Sequence, residues 1–355
     1  MKYDLATYVW PSYTGDEIRT RIFWPEGMGE WEIVKNRMSQ KPLWGYVNEA
    51  DPKVMEMQIE QAIKYGVNVF IYDWYWYDNR PFLENCLNEG FLKARNCNKM
   101  KFYIMWANHH ATYLWDVRNS HVNNVLWQAT VDFNQYKQIV DRWADLYFSK
   151  KNYYTINNKA VVSIFEIQNF IDSFGSLKNI KKAVNYLDDK CKSCGYSGVH
   201  LQFVKKNDNN YVIENKEYTF EQMIDIMPIN SFTHYQISGF VKKEQDFKDI
   251  YPEVANEYVK MLNISKKTNK IYFPHMSVGW NDQPRFNIYR ESIRNCDKKS
   301  IKKGLEMSKE YADDNKLKLI TINSWNEWTE DSYLQPDDKR GYDYLQAIKE
   351  VFNNK

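Results

Sequence analysis

One stretch of this 355-residue sequence limits the fold more than any other. Val67-Asn68-Val69-Phe70-Ile71-Tyr72-Asp73-Trp74 is a nearly continuous apolar run. Such runs mark strands buried on both faces, as in a parallel sheet covered by helices, whereas a strand with one wet face alternates. Seven further runs read the same way: Leu5 to Trp10, Lys101 to Trp106, Ala160 to Phe165, Val199 to Phe203, Asp225 to Ser231, Ile271 to Met276 and Leu317 to Asn323. Helical stretches lie between them, at Asn134 to Phe148, Ile180 to Lys192, Pro252 to Lys266, Ser300 to Asp314 and Tyr342 to Asn353. Another starts at Asp51-Pro52, an N-cap followed by Pro at the first helical position, and stops at Gly66. Eight alternations predict the α/β class and a (β/α)8 TIM barrel, a single domain over residues 1–355. A doubly wound sheet is the structural competitor. No complete G-x-G-x-x-G follows any strand, however, and Gly27-Met28-Gly29 is only a fragment of one.

The 48 Lys plus Arg nearly balance the 46 Asp plus Glu, so charge offers no case for nucleic acid as a partner. Five cysteines in a long chain do not read as a disulfide framework; Cys191 and Cys194 have C-x-x-C spacing but no second pair, and all five are expected as free thiols. Asp4, Pro11 and Tyr13 interrupt the only candidate for a signal-peptide core, and no run of apolar residues is long enough to span a membrane. The expectation is a soluble, cytoplasmic protein without an integral membrane segment. Aromatic residues make up 16% of the chain, against a mean hydropathy of −0.70, which places many rings on or near the surface. Rings of that kind suit a concave site for an amphipathic ligand such as a sugar, and filling of core and interfaces is the alternative.

In a barrel of this type the chemistry sits at the C-terminal ends of the strands. The positions to inspect are therefore Asp73 to Tyr77, Asn108 and His109, Glu166, His234, His275 to Trp280, and Trp325 to Glu330. The last segment carries Glu327 and Glu330 directly after an apolar strand, flanked by Trp325, Trp328 and Asn326. On a helical turn, residues three apart bring their Cβ atoms to about 5–6 Å, close enough for coupled ionisation. One carboxyl is then held protonated as an acid while the other stays charged as a base, the arrangement that glycoside cleavage needs. Paired carboxylates on solvated turns are the bland alternative. His109-His110 and His275 could orient a sugar hydroxyl, although packed histidines look the same in sequence. There is no H-E-x-x-H or comparable cluster, so neither a metal nor a cofactor is expected.

Trp325-Asn326-Glu327-Trp328-Thr329-Glu330, followed by Tyr333-Leu334-Gln335-Pro336-Asp337, resembles the W-N-E-W-x-E-G...L-E-P-D signature of the WbsX-type, family 99-like group of glycoside hydrolases and glycosyltransferases. Pro42 to Tyr46, Gly66 to Tyr77 and Phe273 to Arg285 agree with the same group, so the resemblance covers nearly the whole chain. It implies a barrel akin to the endo-α-mannosidases, which retain anomeric configuration through a 1,2-anhydro sugar. Carried over, Glu327 is the base on the sugar's own 2-hydroxyl and Glu330 the acid/base. Asp331 stands where the group usually has glycine, a third carboxylate expected to act on the loop or on the ionisation of Glu330, and Gln335 stands where Glu is usual.

The leading expectation is a retaining glycoside hydrolase or transglycosylase on an α-linked, mannose-like glycan. Trp44, Tyr46, Asp73, Trp74, Trp76, Asn108, His109, Glu166, His275, Trp280, Asn326 and Trp328 are assigned to substrate binding. Members of the group are also labelled glycosyltransferases of O-antigen or capsule assembly. The sequence holds no D-x-D motif, which favours the hydrolase. A non-catalytic glycan-binding barrel is the third possibility.

Overall fold

The structure is a computed structural model that describes residues 2–15 and 18–353. Its apolar runs form eight strands: β1 (Asp4–Val9), β2 (Val69–Tyr77), β3 (Lys101–Trp106), β4 (Lys159–Ile164), β5 (Val199–Lys205), β6 (Ser231–His234), β7 (Ile271–Tyr272 and His275–Ser277) and β8 (Leu319–Asn323). Each pairs in parallel with the next, and β8 pairs with β1, Asp4 opposite Leu319, so the sheet closes into the (β/α)8 barrel. β7 is interrupted at Phe273-Pro274. Its first half pairs with β6 and its second with β8, and Pro274, which has no N–H, still accepts from Thr321 N at 3.0 Å.

Helices cover the outside, and their starts are set by local chemistry. The Asp51 side chain accepts from Lys53 N ahead of Pro52–Tyr65, which ends on Gly66 at φ 104°, a left-handed position that favours glycine. Asp132 with Gln135 and Thr219 with Gln222 form reciprocal capping boxes at the starts of Phe133–Trp143 and Phe220–Ile226. The second of these corrects the sequence reading, because residues expected to open the sixth strand at Asp225 belong to a helix whose buried face is Phe220, Met223 and Ile224. The strand begins only at Ser231 and ends at His234.

The aromatic residues also depart from expectation, since most are interior. Eight tryptophans, among them Trp10, Trp74, Trp106, Trp325 and Trp328, are fully buried. Some of the buried indoles find a partner for the N–H, as Trp10 donates to Glu30 Oε2 at 2.5 Å, Trp74 to Glu84 Oε1 at 2.7 Å and Trp325 to Gln58 Oε1 at 2.8 Å, whereas those of Trp24, Trp106 and Trp143 have none among the described residues. No helix among the described residues is long and apolar enough to cross a membrane.

Candidate active site

Because side chains alternate along a strand, every second residue of each barrel strand points inward. Low in the barrel these residues tie the strands together: Tyr103 donates to Gln202 Oε1 at 3.3 Å, and the Thr233 and Thr321 hydroxyls meet at 2.8 Å. His275 joins this layer. Its ring nitrogens lie 2.9 Å from Thr321 Oγ1 and 3.0 Å from Ser277 Oγ, and burial holds it well below the usual imidazole range.

Above that layer, at the C-terminal end, a cavity of about 330 Å³ opens. Trp10 after β1, Asp73 and Tyr75 at the end of β2, Phe165 after β4, Lys206 after β5 and Tyr235 after β6 line it, together with His109 to Trp115 of the connection after β3. Glu327 and Glu330 close its base. They come from a tight loop in which Asn326–Glu327 pairs antiparallel with Ser332–Tyr333 around a single 3₁₀ turn, Trp328–Glu330. The turn puts the two carboxylates on one side, and a single guanidinium bridges them. Arg285 donates through Nη2 to Glu327 Oε1 at 2.5 Å, through Nη1 to Glu330 Oε1 at 2.7 Å, and through Nε to Glu30 Oε1 at 2.9 Å. On the other side Tyr235 Oη lies 3.2 Å from both Glu327 Oε2 and Asp73 Oδ2. Two buried oxygens, Asp73 Oδ1 and Glu330 Oε2, have no hydrogen-bond partner among the described residues.

The electrostatics separate the two glutamates. Burial raises Glu327 to about 7, with Arg285 pulling it back down. Burial and the neighbouring Glu327 carboxylate push Glu330 well above the ordinary carboxylate range. The pair is thus arranged to hold a proton on Glu330 before Glu327 takes one. His109 is lowered to about 4 by burial and is neutral. Its Nδ1 donates to His110 O at 3.0 Å, leaving Nε2 as an acceptor.

Of the residues assigned from sequence, Asp73, His109, Glu327 and Glu330 line the cavity. The others serve elsewhere. Trp74 points outward against Trp76 and Trp143, and Trp44 donates to the Tyr342 hydroxyl at 3.1 Å, while Tyr46 packs edge-on against Trp31. Trp280 lies under the Lys243 ammonium, outside the cavity lining. Asn108 clamps the ends of β3 and β4 by donating to Glu166 O at 2.9 Å and accepting from Glu166 N at 2.8 Å, and the Glu166 carboxylate pairs with Lys206. His234 is buried between Tyr272 and Glu257.

Asn326 and Trp328 hold the loop that carries the glutamates. Asn326 accepts from Trp10 N and donates to Trp10 O, each at 2.8 Å, and donates to Glu49 Oε2 at 2.8 Å. Trp328 stacks on Tyr333 at 3.7 Å and donates to Gln335 Oε1 at 2.7 Å. Gln335 in turn donates to Glu49 Oε1 at 2.9 Å, a contact that a glutamate at this position could make only by sharing a proton. Asp331 sits at φ 46°, a left-handed conformation that explains why glycine suits the position. Its carboxylate turns away to Arg340 Nη2 at 2.8 Å and does not join the pair on Arg285.

Arg285, Tyr235, Trp115 and Glu30 belong to the site without having been assigned a role from the sequence, whereas Tyr75 lies within the Asp73 to Tyr77 stretch marked for inspection. Tyr235 directly follows β6, so the strand-end rule would have found it had that strand been placed correctly. Arg285 lies in the long irregular connection between β7 and β8, where no periodicity marks it.

Comparison with known proteins bears on the fold and the family. The WxcX protein of Xanthomonas campestris pv. campestris (strain B100) is 20% identical over 343 residues, 93% of this chain and 47% of that protein, so the chain spans about half the length of the curated relatives it matches. Among solved structures, a glycoside hydrolase-like protein superposes with a TM-score of 0.64 at 14% identity, covering 99% of this chain and 94% of that one. The GH99 endo-alpha-mannosidase of Bacteroides thetaiotaomicron gives 0.61 at 13% identity, covering 98% and 96%. Both share the barrel fold. The family described as Glycosyltransferase WbsX matches residues 19–348, nearly the whole sequence, and the chain belongs to that family.

Proposed function

We propose that this carbohydrate-active barrel is a retaining glycoside hydrolase or transglycosylase, its catalytic domain spanning residues 1–355, that acts on an α-linked, mannose-like glycan. The observation that carries the reading is the Glu327–Arg285–Glu330 bridge, with the free Glu330 Oε2 at the base of an aromatic-walled cavity. Glu330, protonated, donates to the departing oxygen as the bond from C1 breaks. Glu327 removes the proton of the sugar's 2-hydroxyl, and O2 closes on C1 to give the 1,2-anhydro sugar. Water, deprotonated by Glu330, then opens that ring at C1 while Glu327 returns its proton to O2, and two inversions leave the configuration retained. A base raised to about 7 is matched to abstraction near neutrality. Trp10, Trp115 and Tyr75 supply apolar faces for the ring, and His109 and Lys206 supply polar groups.

Digestion of α-mannan oligosaccharides in 18O-labelled water tests this. Wild type releases fragments labelled at the new reducing end, and Glu330→Gln is slower by about 10²–10⁴-fold, the usual worth of a general acid. Unlabelled, uncut oligosaccharide with both proteins overturns it. The family description favours a second reading, a glycosyltransferase, for which the role we would propose is cytoplasmic O-antigen or capsule assembly. Saturable binding of a nucleoside diphosphate sugar at micromolar concentration, measured by calorimetry, decides for the transferase.

A further inference from the structure

The candidate site gathers more acids than cations. Asp73, Glu327, Glu330 and Glu30 converge on it, and Arg285 is the one cation bonded to any of them among the described residues. Lys206 lines the same cavity but is engaged by Glu166. Four ionised carboxylates around one guanidinium, largely buried, would repel one another strongly, so some of the protons stay.

Tyr235 shows where one of them stays. Its single hydroxyl lies 3.2 Å from Asp73 Oδ2 and 3.2 Å from Glu327 Oε2. A phenol donates once. The second contact is therefore either a repulsion between two oxygens or a bond whose proton comes from a carboxyl. We infer that Asp73 is a neutral carboxylic acid that donates to Tyr235 Oη, so that Tyr235 donates in one direction only, to Glu327 Oε2.

The surroundings favour Asp73 over Glu327 as the holder of that proton. Glu327 Oε1 takes Arg285 Nη2 at 2.5 Å, a charge-assisted bond that stabilises the carboxylate. Among the described residues Asp73 touches no cation, and its Oδ1 is buried without a donor, a costly position for an anion. The groups that face Asp73 are Tyr8 from β1, Tyr75 from its own strand, Tyr235 from β6, and Glu327 and Glu330 from the loop after β8. Burial and the two glutamates push Asp73 well above the ordinary carboxylate range. Asp73 is thus a positioning residue that acts through Tyr235. It fixes the direction of the chain Asp73–Tyr235–Glu327, which keeps the Tyr235 proton on Glu327 Oε2 and leaves the free lone pairs of Glu327 to the substrate. That consequence rests on Glu327 being the base. The protonation of Asp73 does not.

Carbon NMR of the whole chain, labelled at the aspartate side-chain carboxyl carbon, tests the protonation without any substrate. Wild type shows one resonance in the carboxylic-acid position that does not titrate from pH 5 to pH 8 on the scale of ordinary aspartates. Asp73→Asn removes that resonance, and Tyr235→Phe, which keeps the label, shifts it. Loss of an ionised-position resonance in Asp73→Asn, or no shift in Tyr235→Phe, overturns the inference. On α-mannan oligosaccharides, Asp73→Asn, neutral and able to donate through its amide, keeps the acid limb of the kcat/KM profile. Asp73→Leu moves that limb and lowers kcat about tenfold, the worth of one oriented hydrogen bond in a dry site. An Asn variant as impaired as the Leu variant points to an ionised Asp73 and also overturns the inference.

Discussion

Replacing Glu49 by glutamine removes the titrating group from a buried polar cluster. Glu49 is fully buried. Its Oε1 accepts from Gln58 Nε2 at 3.0 Å and Gln335 Nε2 at 2.9 Å, and its Oε2 from Asn326 Nδ2 at 2.8 Å. Burial raises the carboxyl from 4.5 to about 7, with those donors holding it below where burial alone would put it. A carboxyl raised on folding binds its proton more tightly in the folded state. Its contribution is therefore fully present below the unfolded value and is lost as pH rises through the folded one. Evaluated between pH 5 and pH 8, this one group removes about 2.5 kcal/mol of stability. Glutamine does not titrate, so the variant lacks that contribution, whereas Glu327, Glu330 and Asp73 are unchanged between the two proteins and cancel in the difference. Urea unfolding at the two pH values, followed by tryptophan fluorescence, gives the double difference directly. Wild type is expected to lose about 2.5 kcal/mol more than Glu49→Gln on going from pH 5 to pH 8. Equal losses in the two proteins would refute the argument, because Glu49 would then hold its proton no differently in the folded and unfolded chains.

Two further outcomes follow from the loop that carries the glutamates. Asn326→Ala strips the partners from Trp10 N and Trp10 O, both buried, and is expected to cost about 2–4 kcal/mol in chemical denaturation; a loss under about 0.5 kcal/mol would mean that water or a shifted backbone replaces them. Asp331→Gly exchanges the Arg340 contact for an easier left-handed backbone, so stability is expected within about 1 kcal/mol of wild type. The limb of the pH–rate profile set by Glu330 is expected to stay in place, and its displacement would show that Asp331 is felt at the site after all.

The barrel was legible because burial on both faces leaves its mark on every residue of a strand, as in Val69 to Tyr77, and because Asp51-Pro52 and Gly66 bracket their helix by local chemistry alone. The sixth strand was not. It is four residues long, and the apolar residues before it, Met223 and Ile224, serve a helix nucleated by the Thr219 capping box. That misplacement hid Tyr235. The glutamate pair could be read from strand-end position and i, i+3 spacing, whereas Arg285 could not, since its partners lie 42 and 45 residues along the chain. Aromatic content misled for a related reason. Whether a tryptophan is interior depends on what packs over it from elsewhere in the chain, as Trp143 packs edge-on against Trp74, and composition carries no trace of such pairings.

The loop bearing Glu327 and Glu330 is fastened to β1 by Asn326, to the end of β8 by Ser324, whose hydroxyl donates to Ser332 O at 2.6 Å, and to Pro52–Tyr65 through Trp325 and Gln58. The walls of the cavity come instead from other segments, His109 to Trp115 after β3 and Lys206 after β5. The two glutamates and most of the cavity wall thus come from separate pieces of chain. On the proposed function, changes in the β3 and β5 connections are expected to alter which sugar is accepted while the glutamate loop stays as it is.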